Sequence, residues 1–184
     1  MAGEITQLLA AHRDGDGTAL DQLTETLYPE LKRLAASRSR NSAEMGATTL
    51  VGETFIRLLS GGALTPEDRG QFFALAATIM RRVVVDEIRH VLANKRAHTD
   101  TTFTDSVLGD DAHEKAEFLL QVDQVLGQLE AVDERLARVF ECRYFAGLTT
   151  DETAEATGVS SRTVERLWSE SRKRVASMID ESQP

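Results

Sequence analysis

The chain is poor in aromatic residues and proline, with 5% Phe, Trp and Tyr and 3 prolines in 184 residues. Sheets packed through aromatic faces are therefore poorly supplied, whereas Ala, Leu, Glu, Arg and Val recur throughout and favour helices. A single cysteine, Cys142, excludes an internal disulfide. Set in the apolar run Val139-Phe140-Glu141-Cys142-Arg143-Tyr144-Phe145, it reads as a buried structural thiol. Long apolar runs are missing too, each being broken by Arg, Asp or Glu, and Met1-Ala2-Gly3-Glu4 carries no basic stretch leading into an apolar one. The expectation is a cytoplasmic protein without an export or membrane segment. Positive charge is in deficit: a net −9 argues against indiscriminate adhesion to nucleic acid or anionic lipid, so only local basic patches can bind phosphate. His12, His90, His98 and His113 are scattered without metal-ligand spacing, and no nucleophile has an evident base. Neither an enzyme nor a metal or other cofactor is expected.

What the chain has is helical periodicity. Ile5, Leu8 and Leu9, then Leu20, Leu23, Leu27, Leu31 and Leu34 recur at spacings of three and four, with Asp14-Gly15-Asp16-Gly17 as the turn of a helical hairpin. A break from Ser37 to Gly46 precedes a helix carrying Leu50, Val51, Phe55, Ile56, Leu58 and Leu59, which Gly61-Gly62 ends. After Thr65-Pro66-Glu67-Asp68, where Pro66 suits the first helical position, a long segment runs from about Gln71 to Arg96. Phe72, Leu75, Ala76, Ile79, Val83 and Val84 face its core. Arg81, Arg82, Arg89, Lys95 and Arg96 outweigh Asp86 and Glu87 and make its second half locally basic. Phe72 and Phe73 are able to stack on bases, but their helical spacing favours core packing.

Residues 98–113 are rich in Thr, Asp, Ser and Gly and read as a flexible acidic linker. Periodicity resumes at Phe118, Leu119, Val122, Val125, Leu126 and Leu129, so a second unit begins near Glu114. The fold class is all-α: two small helical domains, residues 1–97 and 114–184, on a flexible tether.

The segment from Leu136 to Val175 is the most informative. Thr149-Thr150-Asp151-Glu152 has a Thr followed three residues later by Glu, the reciprocal capping box of a helix start. The helix carries the small residues Ala154 and Ala156 and ends at Gly158; Val159 plugs the core, and Ser160 or Ser161 caps a second helix. There Val164, Leu167, Trp168 and Val175 share one face, and Arg162, Thr163, Arg166 and Lys173 point elsewhere. This pattern is that of a helix-turn-helix, whose second helix fits the major groove with side chains near its N-terminus reaching base edges. Arg162, Thr163 and Arg166 are candidates for base or phosphate contact, with Arg172, Lys173 and Arg174 neutralising the DNA backbone. Trp168 reads as a core residue.

Ile79-Met80-Arg81-Arg82-Val83-Val84-Val85-Asp86-Glu87-Ile88-Arg89 and Gly147-Leu148-Thr149-Thr150-Asp151-Glu152-Thr153-Ala154 together resemble sigma factors of the extracytoplasmic-function class. So do the opening Ile5-Thr6-Gln7-Leu8-Leu9 and Leu50-Val51-Gly52-Glu53-Thr54-Phe55-Ile56-Arg57-Leu58, in the same order along nearly the whole chain. The resemblance implies a region-two domain that binds the polymerase clamp and opens the minus-ten element, and a region-four domain that holds the minus-thirty-five element. Capturing an unstacked base costs a few kcal/mol; Arg81, Arg82, Arg89 and His90 are the residues placed to supply compensating contacts. Arg82 stands where relatives often have Asn, which puts the preferred promoter base in doubt. The implied partners are core RNA polymerase and promoter DNA, with an anti-sigma factor and a Ser/Thr kinase as further candidates. The kinase follows from a departure: where many members carry a short acidic cluster for docking on the basic clamp, this chain has Gly46-Ala47-Thr48-Thr49. Thr48, Thr49, Glu53 and Arg57 are the candidate polymerase contacts. Phosphorylation of Thr48 or Thr49 restores negative charge, with Thr48 favoured because the resembling branch with Thr-x-Leu-Val-x-Glu has its threonine there. The plain alternative is that Thr48 is an N-cap residue and docking relies on other contacts. The rival function is a conventional helix-turn-helix regulator whose N-terminal helices dimerise or sense a signal.

Overall fold

The computed structural model describes residues 2–39, 47–60, 66–97 and 110–180, and all regular structure among them is helical. α1 (Ala2–Arg13) and α2 (Gly17–Ser39) form the expected hairpin. Asp16 caps α2, accepting hydrogen bonds from the Thr18 amide at 2.9 Å and the Thr18 hydroxyl at 2.7 Å, which hold its pKa below the usual carboxylate value. α2 continues to Ser39, beyond the break expected at Ser37. α3 (Ala47–Ser60) follows, and its first turn contains Thr48 and Thr49, so Thr48 is helical and does not occupy the N-cap. Residues 40–46 and the Gly61-Gly62 stop lie outside the described residues.

α4 (Arg69–Ala97) is the spine of the molecule. Pro66 lies before it and not at its first position; Asp68 is the cap, taking the Gln71 amide on Oδ1 at 2.8 Å. The helix is apolar around most of its circumference between Phe72 and Val85, with Phe72, Phe73, Ala74, Ala76, Ala77, Ile79, Met80, Val83 and Val85 all buried. A helix buried around most of its circumference is one that other elements approach from several sides. Phe72 and Phe73 are core residues, 5.5 Å apart edge to face.

The second unit comprises α5 (Asp110–Val132), α6 (Glu134–Phe140), a π-helical turn (Glu141–Phe145), α7 (Thr150–Thr157) and α8 (Ser161–Asp180). α5 begins inside the segment read as linker, so residues 110–113 are helical; 98–109 lie outside the described residues. Asp133 breaks α5 from α6 and caps the latter through the Arg135 amide. In the π turn the Ala146 amide reaches the Glu141 carbonyl at 3.1 Å, a bond spanning five residues. The residue it inserts turns Glu141 and Cys142 inward beside Phe140 and Phe145.

The two units are packed against each other. One buried cluster combines α1 to α4 with Cys142, Ala146, Leu148 and Ala156 of the second unit, and the other combines Ile88 and Leu92 of α4 with α5 to α8. α4 therefore belongs to both cores. Each large apolar side chain fully removed from water contributes about 1.5–3 kcal/mol. No described helix is long and apolar enough to cross a membrane.

Candidate nucleic-acid interface

α7 and α8 are built as the sequence indicates. The Glu152 amide donates to the Thr149 hydroxyl at 3.2 Å while the Glu152 carboxylate accepts the Thr149 amide at 2.8 Å, so both ends of the capping box are closed. Burial alone raises the Glu152 pKa, but the Thr149 amide and hydroxyl and the Arg33 guanidinium outweigh it and hold the carboxyl below its usual range. Gly158, at φ +69°, supplies the left-handed residue that ends α7. Ser160 then caps α8: its Oγ accepts the Thr163 amide at 3.3 Å and lies 2.9 Å from the Thr163 hydroxyl.

Along α8, Val164, Leu167, Val175 and Ile179 are buried. Trp168 is half-buried, 5.4 Å from Phe140, with the Arg172 guanidinium 5.2 Å and that of Arg143 5.7 Å from its ring centre. Arg162, Arg166 and Lys173 are exposed on the outer side, and Thr163 is half-buried by its capping role. Arg166 and Arg174 share the Glu170 carboxylate at 3.4 and 2.6 Å. Surface pairs of this kind are worth about 0–1 kcal/mol, so these arginines are cheaply released to a phosphate or base.

The basic half of α4 is arranged differently. Arg81 is turned into the second unit: Nε donates to Asp123 Oδ1 at 2.8 Å, Nη2 to the Asp123 carbonyl at 2.8 Å and Nη1 to Glu141 Oε1 at 2.8 Å. Glu141 Oε2 in turn accepts the Thr78 hydroxyl at 2.7 Å. Arg81 is only 11% exposed. Burial lowers its pKa, but the Glu141 hydrogen bond and the two carboxylate charges more than offset this, so the guanidinium stays charged. Arg89 reaches the other oxygen of Asp123 at 3.0 Å and remains largely open to solvent. Arg82 is exposed, and exposed His90 pairs with Asn94 at 2.9 Å. The structure thus sets Arg82, Arg89 and His90 at the surface and turns Arg81 inward, into an ion-pair cluster that Arg89 joins from outside through Asp123. Asp123 and Glu141 do not stand out from the sequence pattern, although each is a carboxylate embedded among apolar residues, Val122 and Val125 in one case and Phe140 and Cys142 in the other.

On α3, Thr49, Glu53 and Ile56 are exposed at spacings of four and three and form one outward stripe. Ile56 is 57% exposed, unusual for a large apolar residue on an otherwise well-buried helix. Arg57 is held by Asp86 of α4 at 2.8 Å, next to this stripe.

The described residues thus present a capped helix-turn-helix with an exposed basic face on a helical frame, the arrangement of many DNA-binding proteins. The chain belongs to the ECF sigma factor family, whose model matches residues 2–181. It is thus one of the alternative sigma factors, transcription initiation factors that direct RNA polymerase to promoters. Among curated relatives, the ECF RNA polymerase sigma factor SigM of Mycobacterium tuberculosis, from strains H37Rv and Erdman, is 28% identical over 173 residues, covering 94% of this chain and 83% of the relative.

Proposed function

We propose that this sigma factor docks on core polymerase through the outer stripe of α3 and that phosphorylation of a threonine in the first turn of that helix completes the docking surface. The observation that carries this reading is the composition of the first turn: it holds Thr48 and Thr49 and no acidic residue. Thr49, Glu53 and Ile56 are exposed along one side of the helix. A phosphate adds about −1.5 to −2 charges, and at a helix N-terminus the unpaired amides and the dipole stabilise it. Charge complementarity across such an interface is worth several kcal/mol where the pair is desolvated. In the same reading residues 1–97 act as region two, with Arg81, Arg82, Arg89 and His90 toward the minus-ten strand. Residues 114–184 act as region four, with Arg162, Thr163, Arg166 and Lys173 toward the minus-thirty-five duplex, and residues 98–113 connect them.

The test is a pull-down with core polymerase using protein with and without phosphate on Thr48, alongside promoter activity of Thr48→Ala and Thr48→Glu. Phosphorylated protein and the Glu variant should bind core enzyme more tightly than unmodified protein, and the Ala variant should be silent. An Ala variant as active as wild type, in cells that contain the cognate kinase, rules out the switch at this residue; the same comparison at Thr49 decides between the two.

A further inference from the structure

We infer that Glu165 of α8 is a specificity-determining residue of the duplex-reading face and selects a cytosine in the minus-thirty-five element. This rests on the reading that α8 lies in the major groove of that element; the choice of Glu165 rests on its surroundings in the structure.

Arg162 precedes Glu165 by three residues and Arg166 by four, and Ser169 and Lys173 continue the same side of α8 at spacings of three and four. Val164, Leu167, Ser171 and Val175 are buried on the opposite side. Glu165 is therefore an exposed acid in the midst of the basic face. Neither ordinary use of a helical carboxylate accounts for it. α8 has no acidic residue in its first turn, and Glu165 stands beyond that turn, where attraction to the positive end of the helix dipole has fallen off. Among the described residues its carboxylate also enters no ion pair, although Arg162 lies one turn before it. Arg166 and Arg174 both turn instead to Glu170, at 3.4 and 2.6 Å.

An unpaired carboxylate costs little in water and much between two phosphate strands. On entering the groove it is repelled by the phosphates and loses hydration, and only a hydrogen-bond donor on a base edge restores what it gives up. The major groove offers two such donors, the N4 amino group of cytosine and the N6 amino group of adenine. Adenine carries the acceptor N7 beside its amino group and so sets a lone pair against the carboxylate, whereas cytosine presents no acceptor of its own there. Cytosine N4 is thus the partner that Glu165 fits, with Arg162 and Arg166 close enough along the helix to take O6 and N7 of a neighbouring guanine. A sequence without that cytosine leaves the carboxylate desolvated and unpaired, so the residue that rewards one base penalises the other three.

The test is selection from a randomised duplex pool by the full-length chain at low salt, with sequencing of the bound fraction. Wild type should enrich cytosine at one position by about fivefold or more over the other bases. Glu165→Ala should level that position alone, and Glu165→Gln should move its preference to adenine, because an amide donates to N7 while accepting from N6. On a duplex of unrelated sequence both variants should bind about twofold tighter, since one charge repelled by the phosphates is gone. Both should keep the wild-type melt by circular dichroism, because an exposed, unpaired side chain holds no other element in place. Arg166→Ala, run in parallel, should change a different position or weaken binding throughout. A cytosine preference that survives in Glu165→Ala overturns the inference and leaves the placement of α8 standing. So does a levelled position that had favoured another base, or a uniform loss of binding to every sequence in both Glu165 variants. A wild type that enriches no motif, or a motif and affinity that Arg166→Ala leaves intact, overturns instead the placement of α8 on the duplex, and the role of Glu165 with it.

Discussion

α4 and α8 are the two basic helices of this protein, and they use their arginines in opposite ways. On α4 the most buried one, Arg81, is bound to two carboxylates of another unit, and Arg89 leans on one of them. On α8, Arg166 and Arg174 make solvent-exposed ion pairs with Glu170 one turn away, and Arg162 stands in solvent. The first arrangement makes a basic residue part of the fold; the second keeps it available to a partner. Basic composition alone does not separate the cases, because the cost of removing a charge is set by what it leaves behind.

The sharpest way to break this contrast is to delete Arg81. Arg81→Ala strands two largely buried carboxylates and should cost about 3–5 kcal/mol in denaturant unfolding, against under about 0.5 kcal/mol for Arg166→Ala. Equal losses at the two sites would erase the distinction. Binding reverses the ranking: Arg162→Ala or Arg166→Ala should weaken recognition of the cognate minus-thirty-five duplex by about 1–3 kcal/mol in a titration, and relax selectivity at one base position if the contact is to a base edge. A smaller effect is expected from the cap that aims α8. Thr149→Ala should destabilise by about 1 kcal/mol. Because the folded Glu152 pKa is depressed, its contribution is complete above the ordinary carboxylate value of 4.5 and fades as pH falls through the lowered folded value, so thermal stability should drop on acidification below about pH 4.5 and the drop should shrink in the variant. The gentlest test is Lys173→Ala, which should weaken duplex binding about equally for all sequences and reduce the salt slope by about one unit.

The helix-turn-helix was almost wholly legible in the sequence because its determinants are local: Thr149 and Glu152, Gly158, and Ser160 with Thr163 act within a few residues of one another. The unequal fate of the arginines was not, since Arg81 finds Asp123 and Glu141 across 42 and 60 positions of chain, where no periodicity reaches. A signal for close packing was nonetheless present. Gly70, Ala74 and Ala77 set small side chains at spacings of four and three on α4, and together with the apolar run on its other faces they mark a helix approached from several sides. The π turn left no comparable trace, because one inserted residue within an apolar stretch changes direction without changing composition. Nor does sequence place Thr48 inside α3; that depends on a helix start at Ala47, and helix boundaries shift by a residue or two without altering the pattern.

Trp168 is the chain's single tryptophan and packs against Phe140 of the second unit, with the guanidinium groups of Arg143 and Arg172 near its ring. Its emission is thus an intrinsic optical probe of one half of the molecule, while far-ultraviolet ellipticity reports on both. Because α4 is shared by the two cores, the two signals should change at a single midpoint in a melt, and a split between them would mean that the halves come apart before either one unravels.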